Sequence, residues 1–310
     1  MTALALTDTE TEVFAVGVQE AYQHSDYFDP SWGIFTGPIV GETGNVPVVQ
    51  TGEATNKADG TTHTPLGHSI VGVEIPLVDP IKAYADILKT QVDVRPDLNL
   101  IANVGAQLGR DVGFGRSIRM SNYLVNQALA NNNEYTDDFN TLAGLEDAVE
   151  KGIRFIASAF DDAGIPQNMR FGLLKPTPFY SISQKTTIRS SDFSQGQNQN
   201  QSMGGNMDVA RYLNFDIRNM GGIFGVDWTD AAHSNKNLPS GSETNMEANL
   251  TDIVGLFWHH DSWAVRHQTG IEASIDWIQR EQVWMAISRL HLGIKAIQVE
   301  GLWVLVHASA

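Results

Sequence analysis

The chain contains no cysteine in its 310 residues. Thiolate catalysis, disulfide frameworks and zinc–thiolate centres are therefore excluded. Positive charge is scarce as well: 20 lysines and arginines stand against 36 carboxylates, for a formal charge of −16. General nucleic-acid binding needs a basic footprint that releases counterions, and this chain lacks one. Charged residues of either sign reach only 18%, below the roughly 25% of ordinary soluble domains. A large chain with so few charges is expected to cover part of its surface with partners. No run approaches about 18 apolar residues, and the first residues lack the basic start of a secretory signal. Neither a membrane span nor a signal peptide is expected.

Motif chemistry is equally thin. The phosphate-binding G-x-x-x-x-G-K-[ST], the dinucleotide G-x-G-x-x-G, the nucleophile G-x-S-x-G and the zinc-binding H-E-x-x-H are all missing. His259-His260-Asp261 looks like a ligand cluster. On a strand, however, neighbouring side chains point to opposite faces and cannot readily share one metal. His63 and His68 sit in a polar stretch, too loosely placed to be ligands. Carboxylates are numerous, yet no pair stands out as acid and base. No catalytic residue, metal site or cofactor is expected.

What is present is patterned. Apolar residues at 42% suffice for a core, and the length suits one large domain or two ordinary ones. Eight acids (Asp8, Glu10, Glu12, Glu20, Asp26, Asp29, Glu42, Glu53) precede the first cationic side chain, Lys57. Scattered aromatics in residues 1–45, among them Phe14, Tyr22, Phe28 and Trp32, keep no sustained period. They predict an extended arm with a short helix at 9–21, its aromatics docked on a partner or on the chain's own domain. Residues 46–50 and 70–77 read as two strands; in the second, Val71, Val73, Ile75 and Leu77 alternate with Gly72, Glu74 and Pro76. A long polar tip joins them into a projecting hairpin. Pro47 and Pro76 cannot donate to a ladder, which suits exposed edges.

From Pro96 to about Ala130 the spacing of Leu98, Ile101, Val104, Leu108 and Val112 predicts one very long helix. Gly105, Gly109 and Gly113 fall four apart on one face. Glycine there costs about 1 kcal/mol against alanine, which makes sense where another backbone crosses closely. A helix broken at Gly113-Phe114-Gly115 is the alternative. A second helix follows Leu142, Leu145, Val149, Ile153, Ile156 and Phe160, with Gly164 as its stop. Strands are expected at 170–174, through Leu213, Phe215 and Ile217, and at 221–226. Polar loops fill 190–208 and 229–249. Alternation from Trp263 to Trp277 predicts a single ribbon two to three times the usual strand length. Residues 281–292 run back beside it, and 294–306 form a last buried strand.

Three stretches gain meaning from this order: Arg170-Phe171-Gly172-Leu173-Leu174-Lys175-Pro176 with Pro178-Phe179-Tyr180, Gly221-Gly222-Ile223-Phe224-Gly225-Val226-Asp227, and the closing run from Ile287 to Val306. Together the elements resemble the major capsid proteins of tailed double-stranded DNA bacteriophages, the Hong Kong 97-type fold. The resemblance implies an α+β fold. It divides the chain into an N-terminal arm (1–45), an extended β-hairpin loop (46–78), a peripheral domain with a spine helix (79–135), an axial α/β domain (136–260), long peripheral strands (261–292) and a C-terminal strand returning to the axial domain (293–310). It also implies a non-enzymatic major capsid protein, self-assembling as hexamers and pentamers into an icosahedral shell around the genome. The virion capsid would be its location, and the bacterial host cytoplasm its place of assembly.

The implied partners are further copies of the chain, a portal protein, a separate scaffolding protein and, as an optional addition, a decoration or cement protein. Packaged DNA would touch the shell weakly and non-specifically, sliding over an acidic arm. On this resemblance the hairpin, with Glu53, Lys57, Asp59 and His63, would lie over one neighbouring subunit, and the arm, with Phe14, Tyr22 and Trp32, over another. Lys57, the hairpin's only lysine, invites comparison with relatives that crosslink covalently. No partner for it can be matched, so a solvated charge or an interfacial ion pair is expected instead. The rival readings are a bacterial nanocompartment shell protein and, further off, a soluble hydrolase using Asp and Glu or a β-rich binding module.

Overall fold

The computed structural model describes residues 8–25, 28, 33–36, 43–49, 70–76, 81–88, 98–184, 209–228, 249–267, 271–278, 281 and 283–308. In chain order the elements are α1 (Asp8–Ser25), β1 (Ile34–Thr36), β2 (Thr43–Val49), β3 (Ile70–Pro76), β4 (Ile81–Leu88), α2 (Leu98–Ala130), β5 (Glu134–Asp137), α3 (Leu145–Asp162), β6 (Arg170–Leu174) and α4 (Pro176–Gln184). There follow β7 (Val209–Tyr212), β8 (Phe215–Asn219), β9 (Ile253–His259), β10 (Trp263–His267), β11 (Glu272–Ile278), β12 (Val283–Leu290), β13 (Leu292–Ala296) and β14 (Leu302–His307).

The largest layer is a six-stranded sheet in the order β5-β14-β9-β6-β8-β7. Its central strands β6 and β9 are buried at every position, as expected of strands covered on both faces. One face carries α3 and α4: Val149, Ile153, Ile156 and Phe160 pack with Phe179, Phe215, Ile217, Phe257 and Leu305. The other presents Phe171, Leu173, Leu256, Trp258, Leu302 and Val304 to the core that holds α2. The α3 stripe is the 3.6-residue period written in the sequence. Gly164, at φ 69°, ends the helix. The Ile165 amide reaches back to the Phe160 carbonyl at 2.9 Å and the Gly164 amide to that of Asp161 at 3.0 Å, a Schellman stop that needs φ > 0. Leu142 stands outside the helix, 76% exposed. Its spacing matched the stripe, but Gly144 at φ 88° turns the chain before the helix starts.

A second, three-stranded sheet, β11-β12-β4, packs on α2 through β4 and β12. Strand β12 pairs antiparallel on both sides: Ala286 is opposite Ala85 and Ile275, and Ser288 opposite Ala83 and Ala273. This floor of small side chains lets the helix lie close. The middle of α2 is enclosed almost all round, residues 111–118 being buried except Phe114. It continues unbroken through Gly113-Phe114-Gly115. Enclosure on all sides explains why its apolar period weakens.

Several expectations are corrected. The single ribbon from Trp263 to Trp277 is two strands in two sheets: β10 pairs with β1 and β13, and β11 with β12. Alternation failed as a guide because Trp263, Ala264, Val265 and Arg266 are all buried, on both faces of a central strand. The stretch 294–306 is likewise split into β13 and β14 by a 3-10 turn at Val299–Gly301. Residues 221–225 form turns, with Gly222 at φ 78° and Gly225 at φ 79°. Leu213 is no strand residue: Leu213 and Asn214, at φ 47° and 65°, make a two-residue hairpin turn of the kind that matches strand twist. Strands β4 and β5 and helix α4 carried no clear signal. The helix of the arm is longer than 9–21, and the loops 190–208 and 229–248 lie outside the described residues.

Candidate functional site

The histidines of the His259-His260-Asp261 cluster have structural roles. Among the described residues no group of three or more His, Asp or Glu is placed to hold a metal ion. His259 is buried, and burial holds its imidazole below the usual pKa. Its Nδ1 accepts the Asp261 amide at 3.2 Å, while His260 Nδ1 meets the Asp261 carboxylate at 2.7 Å. Both rings thus close the 3-10 turn at His260–Ser262.

The arm is seated on its own chain. Phe14 and Val18 of α1 are fully buried against α2. A Cβ built on Gly105 would come within 2.7 Å of the Phe14 carbonyl oxygen, and one on Gly109 within 2.2 Å of that of Val18. From α1, Gly17 approaches the Ala102 carbonyl, its Cβ position lying 3.0 Å away. The two helices therefore touch backbone to backbone along successive turns. Gly113, one turn further, is buried, and its carbonyl accepts the Ser117 hydroxyl at 3.1 Å.

Beyond α1, Phe28 enters an aromatic box, its ring 5.6 Å from Trp258 and 6.0 Å edge-on to Trp263. The buried Arg116 guanidinium donates to the Phe28 carbonyl at 3.1 Å. Gly33 then lies against the Trp263 indole, where a Cβ would come within 2.7 Å of ring atoms. Residues 34–36 add β1 in parallel to β10. Phe14, expected at a contact between subunits, is instead spent inside the chain, because the glycine groove of α2 receives α1. Tyr22 is half-buried on the same core. The glycine spacing signalled this crossing in the sequence; Arg116 gave no such sign, since its acceptor is a backbone carbonyl 88 residues away.

The hairpin is attached differently. Strands β2 and β3 pair antiparallel from Thr43 opposite Pro76 to Val49 opposite Ile70, in a sheet of their own. Its root is Ile75, fully buried with Ala264 and backed by Ile34 and Ile297. Trp32 and the hairpin-tip residues Glu53, Lys57, Asp59 and His63 lie outside the described residues.

Among the described residues two surfaces stand out. The outward face of β11-β12-β4 carries a shallow groove of about 400 Å³ lined by Glu272, Ser274, Asp276, Ile287 and Arg289, in which Arg289 is ion-paired with Glu272 across the strands. On the far side, Phe155 is 47% exposed and stacks with Tyr135 and Trp303, at 5.3 and 5.6 Å. Flat faces of this kind suit contact with other macromolecules better than they suit a small-molecule site.

No family model and no curated protein sequence matches the chain. Solved structures do. The chain resembles the capsid structure of cyanophage P-SCSP1u over 90% of its own length and 88% of that chain, at 14% identity and a TM-score of 0.63. It resembles the bacteriophage PhiM1 mature capsid over 91% and 87%, at 10% identity and a TM-score of 0.56. A virus-like particle from Pyrococcus furiosus matches over 96% of this chain and 100% of that one, at 8% identity and a TM-score of 0.55. The fold is thus the Hong Kong 97-type fold of tailed-phage capsid proteins, with helix and sheet mixed as expected.

Proposed function

We propose that this protein is the major capsid protein of a tailed bacteriophage, a structural subunit that assembles with copies of itself into a closed shell around double-stranded DNA. The observation that carries this reading is the fold match across nine-tenths of both chains, to a cyanophage capsid. The local architecture supports it. A 33-residue helix is about 50 Å long at 1.5 Å per residue, and with the three-stranded sheet beneath it makes a stiff strut. A hairpin paired in a sheet of its own suits an element that reaches a neighbouring subunit. The scarcity of charge fits a chain with much of its surface in contacts. Contacts that repeat around a curved path close into a shell; hexamers and pentamers are the arrangement proposed. The axial and peripheral division at 79–135, 136–260 and 261–292, the portal, scaffolding and decoration partners, and assembly in the host cytoplasm belong to the same proposal.

A nanocompartment shell is the second reading, favoured by the match that spans all of the Pyrococcus furiosus particle chain. Electron microscopy of the purified full-length protein separates the readings. Uniform closed particles are expected, and nuclease-protected DNA inside particles from infected cells selects the virion. Particles that enclose protein instead select the nanocompartment, and a monomer at all concentrations overturns both.

A further inference from the structure

Asp111 stands at the middle of α2, 2% exposed. Both carboxyl oxygens take hydrogen bonds from the Gln107 side-chain amide one turn back, at 3.1 and 3.3 Å. Among the described residues no salt bridge reaches it. Arg110 on the same helix is exposed, and Arg116 is occupied with the Phe28 carbonyl.

Among the described residues, the two strands that pack most on α2 from the smaller sheet, β4 and β12, turn no charged side chain inward. Strand β4 turns Lys82 and Asp86 outward, β12 does the same with Arg289, and their inner faces hold Ala83, Ala85, Ala286 and Ser288. Strands β9, β13 and β14 contribute apolar side chains to this core. On α1, Tyr22 is half-buried on the same core, while Glu12 and Glu20 face solvent. A carboxylate buried without a cation is strongly disfavoured, and one amide donor does not replace its water.

We propose that Asp111 is a proton-operated release in the long helix: neutral, it lets α2 seat on its surroundings, and ionised, it loosens the middle of that helix. This does not rest on the shell reading. Burial pushes the carboxyl from 3.8 up to about 7, with the Gln107 hydrogen bond and Arg110 opposing. The raised value fixes the sign. Below the unfolded pKa both states are protonated and the seat is at full strength. As pH rises toward the folded value the opened state ionises first, and protection falls by up to about tenfold per pH unit. Above it both states are ionised and the loss is complete.

Hydrogen exchange of the full-length protein, corrected for intrinsic rates, tests this between pH 5 and 8. Protection of amides 105–118 in the natural chain is expected to decline with pH and level off above neutrality. In Asp111→Asn the decline is expected to vanish, with protection at pH 8 exceeding the natural chain's by about 100-fold or more. Gln107→Ala, which removes a donor that favours the charged form, is expected to move the decline to higher pH. It also serves if the first variant does not fold. Infrared spectra of the natural chain should keep a protonated-carboxyl band near pH 6. An unchanged pH profile in Asp111→Asn, or the absence of that band, overturns the proposal.

Discussion

The six-stranded sheet and the β11-β12-β4 sheet hold their helices in different ways. The larger sheet is covered on both faces by its own chain, and its loops are tied by buried polar groups. Arg170 is 1% exposed and lies over the rings of Phe160 and Phe215 at 5.2 and 5.8 Å. It donates to the Pro166 and Ile165 carbonyls at 2.9 and 2.7 Å and to Asp161 at 2.6 Å. Tyr212 donates to the nearly buried Glu150 at 2.7 Å, and Arg154 joins them from 2.5 Å. Burial and this carboxylate hold the Tyr212 phenol above its usual pKa. These ties satisfy the polar groups they bury.

The smaller sheet has one covered face and one open face. The helix above it meets small side chains at the centre of the sheet and Ile81, Ile87 and Leu290 around them, and the hairpin seats its buried Ile75 on the separate β1-β10-β13 sheet. Among the described residues, then, the larger unit is tied together by buried polar groups, and the smaller sheet is held mainly by what packs on its inner face.

Breaking the larger unit should cost most. Arg170→Met removes the donors from two carbonyls and a carboxylate at the α3–β6 connection. It is expected to lower global stability by about 3 kcal/mol, read as a shifted denaturant midpoint with unchanged slope. A loss below about 1 kcal/mol would show that the connection is not held as described. Next comes the helix seam. Gly109→Ala sets a methyl group against the Val18 carbonyl, so α1 must move, at about 2 kcal/mol. Exchange protection should fall in residues 8–25 while β6 and β9 keep theirs; equal loss in both would erase the contrast between the two regions. Smallest is Ile75→Ala. The global transition should move by less than about 1 kcal/mol, since the hairpin opens as a local unit. Proteolysis between residues 43 and 76 should nevertheless quicken severalfold, and any assembled particle should lose yield. A global loss as large as that of Arg170→Met would place the hairpin in the main core instead.

How much of this was legible in advance varies by residue. The α3 stripe and its Gly164 stop were readable because a helix on one sheet face must bury every third or fourth side chain. Gly105 and Gly109 were readable as a close approach, since a helix tolerates their cost only where space is needed. The identity of the crossing element was not: α1 carries Phe14 and Val18 at helical spacing, but nothing local tells a helix which groove it enters. Trp263 to Trp277 misled for a related reason. Alternation reports burial on one face and says nothing about which partner strand supplies the hydrogen bonds. Nothing in the local sequence marks either Arg170 or Asp111 as buried. One is surrounded by acceptors and the other by little besides Gln107, a difference made by chain segments that meet only on folding.

By itself the sequence determined the absence of cysteine chemistry, the long helix and the two strands of the hairpin, because composition and periodicity act within a few residues. Only the tertiary structure decided that the arm docks on its own chain, that the long ribbon divides between two sheets, and that a carboxyl lies buried in the strut. Each of those depends on contacts between residues far apart in the chain, chosen by shape and burial.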